Sequence, residues 1–179
     1  DAEVQRLSRM VDALLKLSRL ENRTTPLNEE VVNVGEMIRL LAMSHEAYIS
    51  EAGLQLVYEA EDDVVVYADR DLIRQATANL ISNAVRYTPA PGTITVSVKK
   101  SDDEAMIAVQ DTGVGLTPEE CTMVFGRFWR ADSSRERASG GLGIGLSVVK
   151  EIVDRHHGWV DVQGARGEGA CFPLHIPLY

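Results

Sequence analysis

Four stretches of this 179-residue chain carry residue types at spacings that could do chemistry. The first lies within Asp69–Pro89, DRDLIRQATANLISNAVRYTP. Leu72, Ala76, Asn79, Asn83 and Arg86 recur there at steps of four, three, four and three, which puts them on one face of a helix. Asp69 or Asp71 can cap its start, and Thr88-Pro89 marks its end, because a residue before proline is pushed out of helical geometry. Two carboxamides one turn apart, followed by a guanidinium and the Tyr87 phenol, can hold a hard cation or a polar ligand. A capped, half-exposed helix end with incidental polar residues would look the same.

The second stretch is Asp111-Thr112-Gly113-Val114-Gly115-Leu116. A carboxylate at the end of a strand accepts hydrogen bonds, and an exocyclic amine such as that of adenine is a suitable donor. Gly113 and Gly115 would let the backbone approach a flat base, although a plain Asp-Thr-Gly turn has the same letters. The third runs from Thr117 to Gly140, a polar segment with Arg127, Arg130, Arg135 and Arg137 that contains Phe125, Phe128 and Trp129, two anchoring aromatics among them. Such a segment suits a lid better than a linker. The fourth is GGLGIGLSVVKEIVDRHHG, where Gly141, Gly143 and Gly145 precede a helix whose free N–H groups attract anions. It is no P-loop, because Leu146 follows Gly145 where a lysine would stand, and no dinucleotide fingerprint, because no strand leads in. A flexible glycine loop before a helix is the ordinary alternative to a phosphate site.

The elements that must position these residues follow from periodicity. Residues 1–22 carry Val4, Leu7, Val11, Leu14 and Ser18 at alternating steps of three and four, an amphipathic helix suited to packing on partner helices. A short linker, Arg23-Thr24-Thr25-Pro26, follows. Val32–Glu51 shows a second helical pattern closed by Gly53; Leu54–Ala60 and Val64–Ala68 read as extended runs separated by a turn at 61–63. Ile94, Val96 and Val98 alternate in a strand that forms a hairpin with Ala105–Gln110. Trp159–Gln163 and Cys171–Pro177 are the last strands, with Pro173 predicting an edge or bulge. The predicted fold is α+β: a two-layer sandwich with one mixed sheet of about five strands and three helices on one face, preceded by one amphipathic helix.

Composition narrows the class. A net charge of −9, a pI near 4.9 and no basic stripe argue against a nucleic-acid partner. No apolar run reaches the roughly 20 residues that span a bilayer. Cys121 and Cys171 have no metal-like spacing and read as ordinary thiols of a reducing compartment, with a single disulfide left open. The chain opens mid-helix without Met or a signal-like start, as expected of a piece of a longer protein.

The order of the four stretches is more specific than any one of them. An Asn-x-x-x-Asn helix, then Asp-x-Gly-x-Gly, then an aromatic–arginine segment, then Gly-x-Gly-x-Gly opening a helix resembles the catalytic, ATP-binding domain of sensor histidine kinases. Asn79–Pro89 is similar to the asparagine box, Asp111–Leu116 to the first glycine box, Phe125–Arg130 to the phenylalanine box and Gly141–Leu146 to the second glycine box. The resemblance covers about residues 28–179, and residues 1–22 resemble the second helix of the dimerisation and phosphoacceptor hairpin that precedes such domains.

The resemblance implies a Bergerat-type ATP-binding domain over 26–179, with a lid at about 117–142 and a hairpin remnant and linker over 1–25. It implies ATP and Mg²⁺ as ligands. Asn83 would take Mg²⁺, with Asn79 helping; Arg86 would sit near the phosphates and Tyr87 beside the nucleotide. Asp111 would bind the adenine amine, with Gly113, Gly115 and Leu116 lining the base pocket. Gly141, Gly143, Ile144, Gly145 and Leu146 would wrap the phosphates, and Arg127 or Arg130 would reach the γ-phosphate from the lid. Gyrase-like, chaperone-like and serine-kinase members of the superfamily place a glutamate base where Asn79 stands. An amide is no base at neutral pH and an imidazole acceptor needs none, so Asn79 favours histidine phosphorylation over hydrolysis.

The implied partners are a response-regulator receiver domain and a second copy, dimerised through the hairpin of a membrane-anchored parent whose kinase portion is cytoplasmic. A non-catalytic nucleotide-binding module, and more distantly an ATP hydrolase, are the alternatives. The acceptor histidine is expected N-terminal to residue 1. His45-Glu46 only superficially echoes an acceptor motif, and His156 and His157 close a helix where imidazolium would suit the dipole. Ala170 and Cys171 stand where relatives often carry Ser or Thr, so a hydroxyl contact near the base is expected to be missing.

Overall fold

The computed structural model describes residues 1–130 and 141–179; Arg135, Arg137 and Gly140 of the predicted lid lie outside the described residues. In chain order the elements are α1 (Ala2–Glu21), β1 (Glu29–Asn33), α2 (Val34–Ser44), α3 (Glu46–Glu51), β2 (Leu54–Ala60), β3 (Val65–Asp69) and α4 (Arg70–Tyr87). Then come β4 (Gly92–Lys100), β5 (Glu104–Asp111), α5 (Pro118–Met123), α6 (Gly145–Arg155), β6 (Trp159–Val160), β7 (Gln163–Gly164) and β8 (Ala170–Pro177).

The main sheet runs β2-β4-β5-β8-β6, with β7 joining β8, and is mixed: β2 lies parallel to β4 and the other pairs are antiparallel. It thus has six strands, one more than predicted, because the run Trp159–Gln163 divides into β6 and β7. The division falls at Pro173. The Asp161 N–H donates to the Pro173 carbonyl at 3.1 Å, but proline returns no N–H, and the ladder is interrupted there without a shift in register.

Helices α2, α4 and α6 form the layer that packs on this sheet. Ile94, Val96 and Val98 of β4 and Ile107 and Val109 of β5 meet Ile38, Ile73, Leu80, Ile81 and Ile152 of the helices in one buried cluster. Each such aliphatic side chain contributes about 1.5–3 kcal/mol by leaving water.

Two local readings are corrected. The helical pattern assigned from Val32 starts later: Glu29–Asn33 is a strand paired antiparallel with β3 in a separate two-stranded sheet. Its β-branched Val31-Val32 pair suits extended backbone, and Asn33 ends it by capping α2 through a bond from the Glu36 N–H. The same helix breaks at His45, whose ring bonds to the Leu41 carbonyl at 2.9 Å, giving α2 and α3. The extended runs Leu54–Ala60 and Val64–Ala68, adjacent in sequence, therefore serve different sheets.

α1 docks by Leu17 and Leu20, which are buried against the core, and packs on α6. Val4, Leu7, Val11 and Leu15 form a second, exposed apolar stripe. Among the described residues no helix is long and apolar enough to cross a membrane. Both cysteines are free, and burial pushes each thiol up from its ordinary value.

Candidate nucleotide site

α4 is the wall on which the site is built. The Asp69 carboxylate caps it, accepting from the Leu72 N–H at 3.2 Å and, through its other oxygen, from the Asn28 N–H at 3.0 Å. Ile73, Ala76, Thr77, Leu80, Ile81 and Ala84 face the core, so Asn79, Asn83 and Arg86 emerge along one flank. That flank lines a cavity of about 530 Å³, a size ordinary for small-ligand sites. Asn79 also ties α4 to the opposite wall, its Nδ2 donating to the Gly145 carbonyl at 3.4 Å.

The floor is the end of β5. Asp111 is buried, and its Oδ1 accepts from the Gly113 N–H at 2.8 Å and from the Ala170 N–H at 3.2 Å. Among the described residues no hydrogen bond ends on Oδ2, and Asp111 lines the cavity, so one carboxylate oxygen remains for a ligand donor. Burial raises the carboxyl above its usual range, and the two backbone bonds oppose that rise. A buried carboxylate with an unused oxygen gains most when a ligand N–H completes its shell.

The opposite wall is the glycine loop and the start of α6. Helices α1, α2, α4 and α5 each begin with a side-chain cap, whereas α6 begins at Ile144 with no side-chain cap and no acidic residue in its first turn. A Cβ placed on Gly145 would meet nothing within 4 Å. Free N–H groups, an open approach and a positive helix end together suit an anion. Gly143 has φ +70 and a carbonyl that accepts from the Phe128 N–H at 2.8 Å, which fastens the aromatic segment to this loop. Gly141 packs under the Arg86 guanidinium. Phe125 is anchored edge-on against Phe172, with ring centroids 6.3 Å apart, whereas Phe128 is exposed; Phe125 and Trp129 are thus the anchors of this segment.

The cavity brings together Asn79, Asn83, Arg86, Tyr87, Asp111, Gly115, Leu116 and Arg130 with Gly141, Gly143, Ile144, Gly145 and Leu146. Two expected residues stand elsewhere. Gly113 does not line it: a Cβ there would lie 2.2 Å from the Tyr87 carbonyl oxygen, so its role is to let β5's exit pass under the end of α4. Arg127 turns away and forms an ion pair with Glu21 of α1. Sequence reasoning missed Gln75 and Ser82, which share α4's flank, and Trp129 and Leu142, which neighbour recognised motifs. It also missed Arg9, Asp12, Ala13 and Lys16, one face of α1 at steps of three, one and three, which only docking brings to the cavity.

His156 is no imidazolium at a helix end. Its ring is buried, its Nδ1 bonds to the Ile152 carbonyl at 2.7 Å, and its Nε2 accepts from the Asp69 N–H at 3.0 Å. Accepting through Nε2 requires the neutral ring, and burial lowers its protonation accordingly. It clamps the end of α6 to the start of α4.

A family model described as histidine kinase-, DNA gyrase B-, and HSP90-like ATPase matches residues 68–179. The chain belongs to this ATPase family. Matched residues include α4, the Asp111 turn and the α6 loop, three of the surfaces that line the cavity. Over 175 residues the chain is 35% identical to the sensor-like histidine kinase SenX3 of Mycobacterium tuberculosis, covering 98% of itself and 43% of the relative. It is 31% identical to the sensor protein SrrB of Staphylococcus aureus over 98% of itself and 30% of that protein. The chain therefore spans less than half the length of these relatives. Among solved structures, full-length ShkA in complex with AMPPNP superposes with a TM-score of 0.84 at 26% identity, over 96% of this chain and 36% of that one. The histidine kinase AdeS of Acinetobacter baumannii gives 0.79 at 25% identity over 99% and 81%. ThkA in complex with the response regulator TrrA gives 0.81 at 25% identity over 99% and 49%.

Proposed function

We propose that residues 26–179 form the ATP-binding catalytic domain of a sensor histidine kinase, and that residues 1–25 are the end of its dimerisation and phosphoacceptor hairpin. The carrying observation is the cavity itself: a buried carboxylate with an unused oxygen on one side and an uncapped helix start on the other, joined by the amide flank of α4. Asp111 would accept the adenine amine beside Tyr87, Gly115 and Leu116. The first N–H groups of α6, with Arg86 and Arg130, would take the phosphates.

Magnesium is part of this reading. Among the described residues no three His, Cys, Asp or Glu side chains converge as a metal centre, so Mg²⁺ would arrive on the phosphates, with Asn83 supplying an amide oxygen. Bound there, the ion would neutralise phosphate charge during transfer. The protein's contribution is alignment and electrostatics. Breaking the bond between the γ-phosphorus and the bridging oxygen would release ADP, and the new bond would form to the unprotonated, lone-pair nitrogen of a neutral imidazole, whose other nitrogen can then lose its proton to water. Asn79, bonded to the α6 start, holds the two walls in place but cannot accept a proton at neutral pH, which disfavours water as the nucleophile.

The acceptor is placed outside these residues. All four histidines are described, and none lines the cavity. His45 bonds to Leu41, His156 is the buried clamp, His157 sits in a turn at φ 58, and His175 stacks on Trp159 at 3.6 Å and bonds to Glu104 at 2.6 Å. The exposed stripe Val4–Leu7–Val11–Leu15 is the face we assign to the hairpin's other helices and to a second copy, and a receiver domain is the proposed recipient of the phosphoryl group. We place the domain on the cytoplasmic side of a membrane-anchored parent.

Thermal unfolding with and without Mg-ATP tests the binding step. The chain should be stabilised by Mg-ATP, and Asp111→Asn should lose most of that shift; no shift in either protein would remove the nucleotide reading.

A further inference from the structure

The wall of the cavity contributed by α1 lies outside the residues that the family model matches. Arg9, Asp12, Ala13 and Lys16 share one side of that helix. Just past its end, Arg23 pairs with Glu151 at 3.0 Å and the Thr25 carbonyl accepts from Arg155, so the exit of α1 is tied to α6. Lys16 and the uncapped start of α6 line the same cavity.

This placement gathers positive charge at the cavity. A helix start carries a partial positive charge, and among the described lining residues Lys16, Arg9 and Arg86 bring further cations to the same cavity. The chain as a whole has a net charge of −9, so this corner runs against the rest of the surface. Lys16 makes no ion pair among the described residues, although Asp12 sits one turn away at a spacing that allows one. The Arg9 Nε reaches only the Gln5 carbonyl, at 3.4 Å. An anion of several charges lying between α1 and α6 could take Lys16, Arg9 and the free N–H groups of α6 as partners together.

Building on the nucleotide reading above, we infer that Lys16 and Arg9 of α1 are part of the phosphate site, so that a bound nucleoside triphosphate bridges the docked helix and the domain. Binding and docking are then linked: the triphosphate strengthens the seating of α1, and seated α1 strengthens the hold on the triphosphate by the same factor. Leu17 and Leu20 provide apolar seating independent of the ligand, while Arg9 and Lys16 supply the ligand-dependent part.

The test compares Mg-ATP with adenosine, which has no phosphate, on the full chain and on R9A/K16A, with K16R as the charge-retaining variant. Expected in calorimetry is a loss of about three- to tenfold in Mg-ATP affinity for R9A/K16A, near-normal affinity for K16R, and unchanged adenosine binding in both. Mg-ATP should also slow amide exchange along α1 in the wild type and less so in R9A/K16A. Unchanged Mg-ATP affinity, or an equal loss for adenosine, overturns the inference. Absence of Mg-ATP binding by the wild type would instead overturn the nucleotide reading beneath it.

Discussion

Asp111 shows how a single side chain serves the site at a cost to the fold. Burial raises its carboxyl, so its ionisation between the unfolded value of 3.8 and the raised folded value works against folding. An asparagine oxygen can still accept from Gly113 and Ala170 but carries no charge to desolvate. Asp111→Asn should therefore melt at the wild-type temperature or above it without ligand at pH 7, while binding Mg-ATP about ten- to a hundredfold more weakly. Calorimetric melting and titration of the same preparation check both halves. Gly113 and Gly145 separate structure from binding in the same way. Gly113→Ala drives a Cβ into the Tyr87 carbonyl and should destabilise by about 1–3 kcal/mol in chemical denaturation. Gly145→Ala has open space, so it should be neutral or stabilising by up to about 1 kcal/mol in denaturation while weakening Mg-ATP binding, because the added methyl occupies the proposed phosphate approach. The four motifs announced both glycines, but letters alone do not tell a glycine that faces a ligand from one that lets two main chains touch. Nor could they choose between Arg127 and Arg130, because the partner that draws Arg127 away, Glu21, belongs to another part of the chain.

Among elements, α4 was the most legible, since its cap at Asp69, its end at Thr88 and its polar flank all follow from local spacing. β1 was hidden because its five residues show no apolar–polar alternation, only one being buried. The pairing of β3 with β1 rather than with its neighbour β2 is a tertiary choice with no local signal. The link between α4 and α6 was hidden for the same reason: His156 reads as a helix-end cation and is a neutral buried clamp. Burial holds its folded pKa below the ordinary histidine value of 6.5, so its contribution is fully present above about that pH and is lost as the unfolded chain takes up a proton below it. The melting temperature should fall between pH 7.5 and pH 5.5. In His156→Gln, which can still donate and accept, that fall should be smaller from a lower starting point; an unchanged pH profile would show that the clamp is not the titrating group.

At the scale of the whole molecule, the order of helices and strands led to the two-layer sandwich, because an alternating polar–apolar hairpin and three amphipathic helices admit few other packings. What sequence could not supply was the position of α1, which presents one apolar edge to the domain through Leu17 and Leu20 and another to solvent through Val4, Leu7, Val11 and Leu15. At about 100° per residue Leu17 and Leu20 lie nearly opposite the exposed stripe, and the repeat that the sequence displays follows the exposed side, so the docking edge gave no periodic signal of its own. The central claim is that the cavity moves a phosphoryl group from ATP to an imidazole carried on a helical hairpin. The most direct measurement incubates the full chain with γ-radiolabelled Mg-ATP and a separately supplied acceptor hairpin from the same protein. The account predicts acid-labile label on the hairpin, none on a hairpin whose acceptor histidine is replaced by glutamine, and little on the chain itself. Strong label on the chain alone, or inorganic phosphate released while the hairpin stays unlabelled, would contradict it.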